Sequence, residues 1–323
     1  MSFVNQLING LHVGSIYALI ALGYTMVYGI VKLINFAHGD IIMVGAYISL
    51  MLLTYLGWPL YIVIPATMVL CAASGVLIEY VAYRPLRNSA AFREMLARAG
   101  DNARRALHIK ESHKGEGGKP TPRISALITA IGVSMLLQNM FMMIMSPSPR
   151  PYPTIVSLPP VAIGELKIGA TTLITIAASA VIMIALQLFI KRTRIGKAMR
   201  AVSENMEAAQ LMGINTNTTI SITFAIGSGL AAIGAILYCA AYPQVQPYMG
   251  SMPGLKAFIA AVLGGIGVIP GAMLGGFVMG IAESLTKGFI SSQFADAVVF
   301  GILIVVLLVK PAGILGKKSS EKV

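Results

Sequence analysis

The sequence predicts an all-α polytopic membrane protein, and its composition and its long uncharged runs both indicate that fold class. Of its 323 residues, 56% are hydrophobic and only 11% are charged, and the mean hydropathy is +0.79. Soluble domains carry about 25% charged residues. Uncharged apolar runs of about 18 residues or more, the length of a membrane-crossing helix, recur along the chain. The whole chain, 1–323, is therefore predicted to form a single transmembrane domain without a separate soluble domain.

Positive charge is concentrated in three segments, and this sets the expected orientation in the membrane. The chain has 24 Lys and Arg against 12 Asp and Glu, which gives a formal net charge of +12. The basic residues cluster in segments 84–123, 191–200 and 310–322, and the alternating loops carry few. This asymmetry follows the positive-inside rule, so the three segments are predicted to be cytoplasmic. The basic segments are expected to contact membrane lipids, and the chain is not expected to bind nucleic acid.

Eight membrane spans follow from these anchors. They lie near residues 9–31, 39–56, 59–81, 124–145, 169–190, 218–242, 254–283 and 294–310. The seventh stretch has 30 residues, which exceeds one straight crossing of a hydrocarbon core about 30 Å thick. Two crossings in this stretch would put the N-terminus outside, and one crossing would put it inside. Lys32, at the end of the first span, favours the outside.

Two interrupted segments stand at matching places in the two halves of the chain: INFAHGD at 34–40 and GGIGVIPG at 264–271. Broken helices at corresponding positions are the best sequence indication of a translocation pathway, because freed backbone groups are tolerated only beside a cavity or inside protein. The predicted pathway residues are Asn35, Phe36, His38, Gly39, Asp40, Gly264, Gly265, Gly267, Pro270 and Gly271. The alternative for Asn35, His38 and Asp40 is that they cap the start of the second span.

A polar island, residues 191–217, separates two long apolar runs and is predicted to lie at the cytoplasmic membrane surface. Its apolar stripe predicts two short helices near 194–203 and 206–212, which are too short to span. Asn205 is expected to cap the second helix, and Gly213 to end it in the left-handed region. An ordinary basic loop that only sets topology is the alternative. A helix pair of this kind can instead present a shaped surface to a soluble partner.

The sequence contains no recognisable catalytic or metal-binding arrangement. No G-x-x-x-x-G-K-[ST] phosphate loop is present, so ATP binding by that route is excluded. The four histidines do not pair with carboxylates at metal-ligand spacing. Cys71 and Cys239 both lie inside apolar runs and are expected to be packing residues. We therefore expect no catalytic residue, no metal and no cofactor in this chain.

Motifs in five parts of the chain carry a family resemblance. Four of them are GSIYALIALGYTMVYGIVKLINFAHGD (14–40), E-x-V-A-Y-R-P-L-R (79–87), KAFIAAVLGGIGVIPGAMLGG (256–276) and LLVKPAGILG (307–316). The fifth is a pattern in the polar island, formed by Gly196, Arg200, Ala201, Glu204, Asn205, Ala208, Ala209, Gly213 and Ile214. Together the motifs resemble LivH-type permeases of the branched-chain amino acid ABC importers. The island resembles the coupling loop of such permeases, through which they contact their ATPases.

The resemblance implies a permease subunit of an ATP-driven importer for leucine, isoleucine and valine in the bacterial inner (plasma) membrane. It implies a translocation pathway shared with a LivM-like second permease. Two cytoplasmic ABC ATPase subunits would hydrolyse ATP, and a periplasmic amino-acid-binding protein would deliver the solute. The sequence departs from the family at 88–122, an insertion in the basic cytoplasmic loop 84–123. This insertion has two possible roles: it is a loop over anionic lipid headgroups, or it is a docking surface for the ATPase.

Two other function classes fit parts of the sequence. A stand-alone secondary transporter or channel would keep the broken helices, would depend on an ion gradient through Asp40, and would need no coupling loop. An intramembrane enzyme would require a nucleophile and a base, or a metal cluster, inside the spans. His38 and Asp40 are the only dense titratable pair near a span. Uptake driven by ATP rather than by a proton gradient separates the importer from the secondary transporter.

Overall fold

The structure, a computed structural model, describes residues 3–32, 35–87, 122–156, 158–163 and 166–316 and is helical through most of these ranges. Its helices are α1 (Phe3–Val31), α2 (His38–Thr54), α3 (Leu60–Ile78), α4 (Arg84–Arg87), α5 (Pro122–Met145), α6 (Ala170–Arg192), α7 (Arg194–Glu204), α8 (Met206–Leu211), α9 (Thr216–Ala241), α10 (Ser251–Gly264), α11 (Ile269–Phe289) and α12 (Ala295–Val309). A π-helical turn, Glu79–Tyr83, joins α3 to α4, and a 3-10 turn, Ser292–Phe294, precedes α12. The predicted all-α membrane class is confirmed.

Short antiparallel strand pairs join the loops at one end of the helices. Strand β1 (Arg150–Pro151) pairs with β4 (Gln244–Val245), and β2 (Val161–Ile163) pairs with β3 (Leu166–Ile168). The first pair ties the loop after α5 to the loop after α9. The predicted insertion, apart from its last residue, lies at 88–121, outside the described residues.

Seven helical segments of the described chain are long and apolar enough to cross a membrane: Phe3–Val31, Leu60–Leu86, Leu127–Met145, Ala170–Arg192, Thr216–Ala241, Ile269–Phe289 and Ser292–Val309. Helices α2 and α10 are also apolar but have only 17 and 14 residues. At 1.5 Å per residue they are about 26 Å and about 21 Å long, which is less than the thickness of the hydrocarbon core. The predicted count of about eight spans is not confirmed, because the predicted seventh span divides into α10 and α11.

Helix α1 lies at the centre of the molecule and packs against both α9 and α11. The segment Ile16–Leu22 of α1 is buried on every side. Helix α1 packs antiparallel along α11 through small residues, with Gly14 against Gly276 and Gly280. A Cβ atom on Gly280 would overlap the backbone of Gly14, so the two helices touch backbone to backbone. Small residues at such contacts are typical of helix packing in membranes, where close van der Waals approach stabilises the pair.

The peripheral helices α5 and α12 leave most of their apolar surface uncovered. Only 6% of the α5 span and 11% of the α12 span are buried, against 83% of α1. In a membrane protein such faces are covered by lipid tails or by another membrane chain. The described chain therefore has both a packed centre and a broad apolar outer surface.

The N-terminal end of α1 lies at the end of the molecule opposite the polar island. Gly10 lies against Ile281 and Gly29 against Gly267, so α1 and α11 run in opposite directions. His12 of α1 lies beside Thr172 at the start of α6, and the island, which is predicted to be cytoplasmic, follows the other end of α6. This packing favours the N-terminus outside, in agreement with the position of Lys32.

Candidate translocation and coupling sites

The polar island folds into the two short helices that the sequence predicts, α7 and α8. Thr193 caps α7, because its Oγ1 accepts a hydrogen bond from the Gly196 amide at 3.0 Å. Asn205 caps α8, because its Oδ1 accepts from the Ala208 amide at 3.0 Å. Gly213 follows α8 with a φ of +81°, in the left-handed region that suits glycine. The predicted cap at Asn205 and the predicted stop at Gly213 are confirmed.

The island buries one face against the membrane helices and exposes the other. Met199, Val202 and Ala209 are buried, and Gly196 leaves no space for a side chain because a Cβ atom would overlap the Ile190 backbone. Of the residues in the predicted coupling pattern, Gly196 and Ala209 therefore position the island. The remaining members are exposed or half-buried: Arg200, Ala201, Glu204, Asn205, Ala208, Gly213 and Ile214.

Two apolar residues of the island were missed by the sequence reasoning. Leu211 is 89% exposed and Met212 is 82% exposed, at the end of α8. The charged residues Glu204 and Glu207 are exposed nearby in the sequence. A protruding apolar pair with a polar rim is the usual form of a contact between proteins. No sequence signal distinguishes this pair from apolar residues that pack inward.

Parts of the two breaks meet at one small cavity. Asn35 and His38 of the first break and Ile266 of the second line this cavity, together with Tyr24 and Phe258. The cavity volume is about 10 Å³, which is the space of about one water molecule. The structure thus places the first break, between α1 and α2, beside the second, between α10 and α11.

Asn35 and His38 are both buried and only partly hydrogen-bonded. Asn35 Oδ1 accepts from the Tyr83 hydroxyl at 2.8 Å, which ties the first break to the π-helical turn after α3. The His38 ring stands edge-on to Tyr24 with ring centroids 4.5 Å apart. Asn35 Nδ2 and His38 Nε2 have no hydrogen-bond partner among the described residues. Helix α2 begins after Ala37 without a side-chain cap, so Asn35 and His38 do not cap it.

Asp40 lies in the first turn of α2, where the helix dipole favours a carboxylate. Its side chain is buried and accepts a hydrogen bond from Gln138 Nε2 of α5 at 2.8 Å. The same nitrogen is 3.3 Å from the Ser251 hydroxyl of α10, so one amide links three helices. These residues line a second cavity of about 270 Å³, whose other walls include Phe36, Gly39, Ser134 and Leu255.

Most of the predicted pathway glycines mark close backbone contacts. Gly39 approaches Gly254, and Gly264 and Gly271 approach each other across the turn between α10 and α11. Gly265 has a φ of +107° and lies against the backbone of the C-terminal segment near Gly316.

The last two predicted pathway residues lie in or next to the turn between α10 and α11. Gly267, with a φ of +86°, faces Gly29 of α1, and Pro270 stands in the first turn of α11. Of the second break, only Ile266 is brought to the small cavity beside the first break. The pathway role of the glycines and of Pro270 stays a prediction.

A buried ionic cluster at the opposite end from the island was also missed. Glu283 is 2% exposed and accepts from Lys256 Nζ at 2.9 Å, Lys287 Nζ at 2.6 Å and the Tyr17 hydroxyl at 2.9 Å. Lys256 also lies 2.7 Å from Asp296. The pair Glu283 and Lys287 has the i,i+4 spacing that a helix brings together, but Lys256 joins only through the fold.

Comparison with known proteins gives matches along nearly the whole chain. Residues 6–308 match the family described as the branched-chain amino acid transport system permease component. The high-affinity branched-chain amino acid transport system permease protein LivH of Escherichia coli (strain K12) is 41% identical over 339 residues, covering 99% of this chain and 98% of that protein.

Two further relatives extend this similarity. The corresponding protein BraD of Pseudomonas aeruginosa is 40% identical over 333 residues, with 99% and 98% covered. A probable branched-chain amino acid transport permease protein LivH of Methanocaldococcus jannaschii is 29% identical over 310 residues, with 94% and 89% covered. No solved structure matches the chain.

Proposed function

Because the chain belongs to the family of branched-chain amino acid transport system permease components, we propose that it is a permease subunit of an ATP-driven importer for leucine, isoleucine and valine. In this proposal it forms the translocation pathway with a second, LivM-like permease in the bacterial inner membrane. Two ABC ATPase subunits bind at its cytoplasmic face, and a periplasmic amino-acid-binding protein delivers the solute. The ATPase subunits, and not this chain, hydrolyse ATP.

The observation that carries the ATP-driven mechanism is the fold of the polar island. A loop that only sets topology needs basic residues but no fixed shape. Here both short helices have side-chain caps, and Gly196 fits α7 tightly against the end of α6. The exposed face carries charged residues and the apolar pair Leu211 and Met212. A fixed surface of this composition, outside the spans, suits docking to a soluble subunit.

The packing of the island offers a route from the ATPase to the breaks. Helix α7 contacts both α1 and α9. Helix α1 carries Tyr24, Val27 and Tyr28, which line the small cavity beside the two breaks. An ATP-driven shift of the island would therefore displace the wall of this cavity directly. Backbone breaks, which have lost part of their helical hydrogen bonding, are the places where such a shift changes the structure most easily.

The 270 Å³ cavity supports a pathway for a zwitterion with an apolar side chain. Its walls combine apolar groups, such as Phe36 and Leu255, with the polar groups of Asp40, Gln138 and Ser251. Asp40 accepts a hydrogen bond from Gln138, so a neutral amide holds its carboxyl group in the cavity wall. This composition favours transient contact with an amino acid over tight binding. A translocation pathway requires such transient contact.

Reconstitution tests the proposal against the secondary-transporter alternative. The chain is copurified with its partners from its native membrane and placed in vesicles with the binding protein. We expect leucine uptake to require ATP and the ATPase subunits and to be unaffected by a proton gradient. Leucine uptake by this chain alone, driven by a proton gradient, would show that the proposal is wrong.

A further inference from the structure

A third cavity, a pocket with polar walls, lies at the predicted outer end of the molecule, where α1, α9 and α11 meet. Its volume is about 340 Å³. Its walls include Asn9, His12 and Val13 of α1, Tyr242 after α9, and Glu283 and Lys287 of α11. None of these residues belongs to the breaks or to the polar island. The pocket is thus separate from the breaks and the island, and the ionic cluster of Glu283 forms part of its wall.

The charged wall of this pocket is held rigidly. Glu283 is fixed by hydrogen bonds from Tyr17, Lys256 and Lys287. An ammonium group has three donors, and among the described residues Lys287 has one acceptor, the Glu283 carboxylate. The Lys287 side chain is 41% exposed, so its other donors are available to a ligand. An incoming carboxylate would therefore meet a cation whose position is already set.

His12, which also lines the pocket, offers an acceptor. His12 Nδ1 is 3.5 Å from the Thr172 hydroxyl, and His12 Nε2 is buried without a hydrogen-bond partner among the described residues. A buried polar nitrogen without a partner costs free energy, so a ligand donor that bonds to it would recover that cost. With the ring proton on Nδ1, directed at Thr172, the Nε2 lone pair can accept from a ligand N–H.

The rest of the pocket is apolar where a side chain would lie. Val13 and Ala241 contribute aliphatic surface, and Tyr242 is 42% exposed. The pocket therefore combines a fixed cation, an unused acceptor and an apolar wall. These are the three features that distinguish an aliphatic amino acid from an inorganic ion or a simple fatty acid.

We infer that this pocket is an outward-facing binding site for the zwitterion of an aliphatic amino acid, which occupies it before entering the pathway. Lys287 binds the carboxylate, His12 Nε2 and Glu283 accept from the ammonium group, and the side chain lies against Val13 and Tyr242. The inference rests on the proposed function, because it takes an amino acid as the solute. A phosphatidylethanolamine headgroup carries the same pairing of ammonium and anion, and the experiment distinguishes the two sources.

Thiol protection in the purified transporter complex, without ATP, tests the site. Asn9→Cys places a reactive thiol in the pocket wall, while the native Cys71 and Cys239 are buried. The complex is placed in phosphatidylcholine discs, because that lipid has no ammonium N–H. At a leucine concentration about ten times its Kd we expect labelling to slow about tenfold, since labelling requires the empty site. Leucinamide, which lacks the carboxylate, and 4-methylpentanoate, which lacks the ammonium group, should not protect.

Four variants make the test specific. Gln246→Cys, in the exposed loop after α9 and outside the pocket, should label at the same rate with and without leucine. Lys287→Met should abolish protection of the Asn9→Cys thiol, and Lys287→Arg should keep it. Val13→Phe, which fills the pocket without changing a charge, should also abolish protection. Size-exclusion chromatography of each variant confirms that the complex is intact.

Several outcomes would overturn the inference. The first is that leucine does not protect the Asn9→Cys thiol, and the second is that 4-methylpentanoate protects it as well as leucine does. The third is that added phosphatidylethanolamine protects the thiol and that leucine does not displace this lipid. None of these outcomes depends on ATP hydrolysis. If ATP-driven uptake is normal while leucine fails to protect, the proposed function stands and only the pocket assignment is wrong.

Discussion

The double substitution of Leu211→Ala and Met212→Ala should weaken binding of the ATPase subunits without unfolding the permease. The two side chains are 89% and 82% exposed, so they contribute little to the stability of the free chain. Burying one large apolar side chain contributes about 1.5–3 kcal/mol. If both enter the ATPase surface, the double variant loses about 3–6 kcal/mol of binding free energy, and the Kd rises about a hundredfold to ten-thousandfold.

The assay is binding of the purified ATPase subunits to the permease pair in lipid discs. Leu308→Ala is the matched control, because Leu308 is 80% exposed but lies on the membrane-spanning α12. We expect the control to bind the ATPase as the unmodified chain does. The melting temperature of each permease should stay unchanged. An unaltered Kd in the double variant would refute the idea that this apolar pair docks into the ATPase.

Three further substitutions and one control test the island, the larger cavity and the helix packing. Glu204→Lys reverses an exposed charge of the island, and we expect normal membrane levels and permease pairing but loss of ATP-driven uptake. Asp40→Asn keeps an oxygen that accepts from Gln138 Nε2, so most ATP-driven uptake should persist; complete loss would favour an ion-coupled site instead. Gly280→Leu should lower the melting temperature and the membrane level, because its Cβ atom overlaps the α1 backbone, whereas Gly301→Leu, with open space around it, should not.

The island could be predicted in detail because its structure is local. The cap at Asn205 bonds to an amide three residues away, and the turn at Gly213 is closed by hydrogen bonds to carbonyls three and five residues earlier. Apolar spacing then predicts which face is buried. The exposure of Leu211 and Met212 could not be predicted, because it depends on the path of α9 past the end of α8.

The sites inside the membrane depend on long-range packing, and the sequence predicted only part of them. Uncharged runs predict spans, but the break between α10 and α11 produces a hairpin whose turn contacts the C-terminal segment near Gly316. The hydrogen bond from Gln138 to Asp40 joins residues 98 apart, and the ion pair of Lys256 with Glu283 joins residues 27 apart. Neither pairing follows a local periodicity, so both became visible only in the folded chain.

Thiol labelling at Phe36→Cys, compared with and without ATP, tests most directly whether the island controls the pathway. Phe36 is 37% exposed and lines the 270 Å³ cavity. In the complete transporter we expect the labelling rate to change when ATP binds, because the island displaces α1 beside the first break. In the Glu204→Lys background the rate should no longer respond to ATP. If the Phe36→Cys thiol is labelled at the same rate in every nucleotide state while the island has its native sequence, the island does not control the pathway.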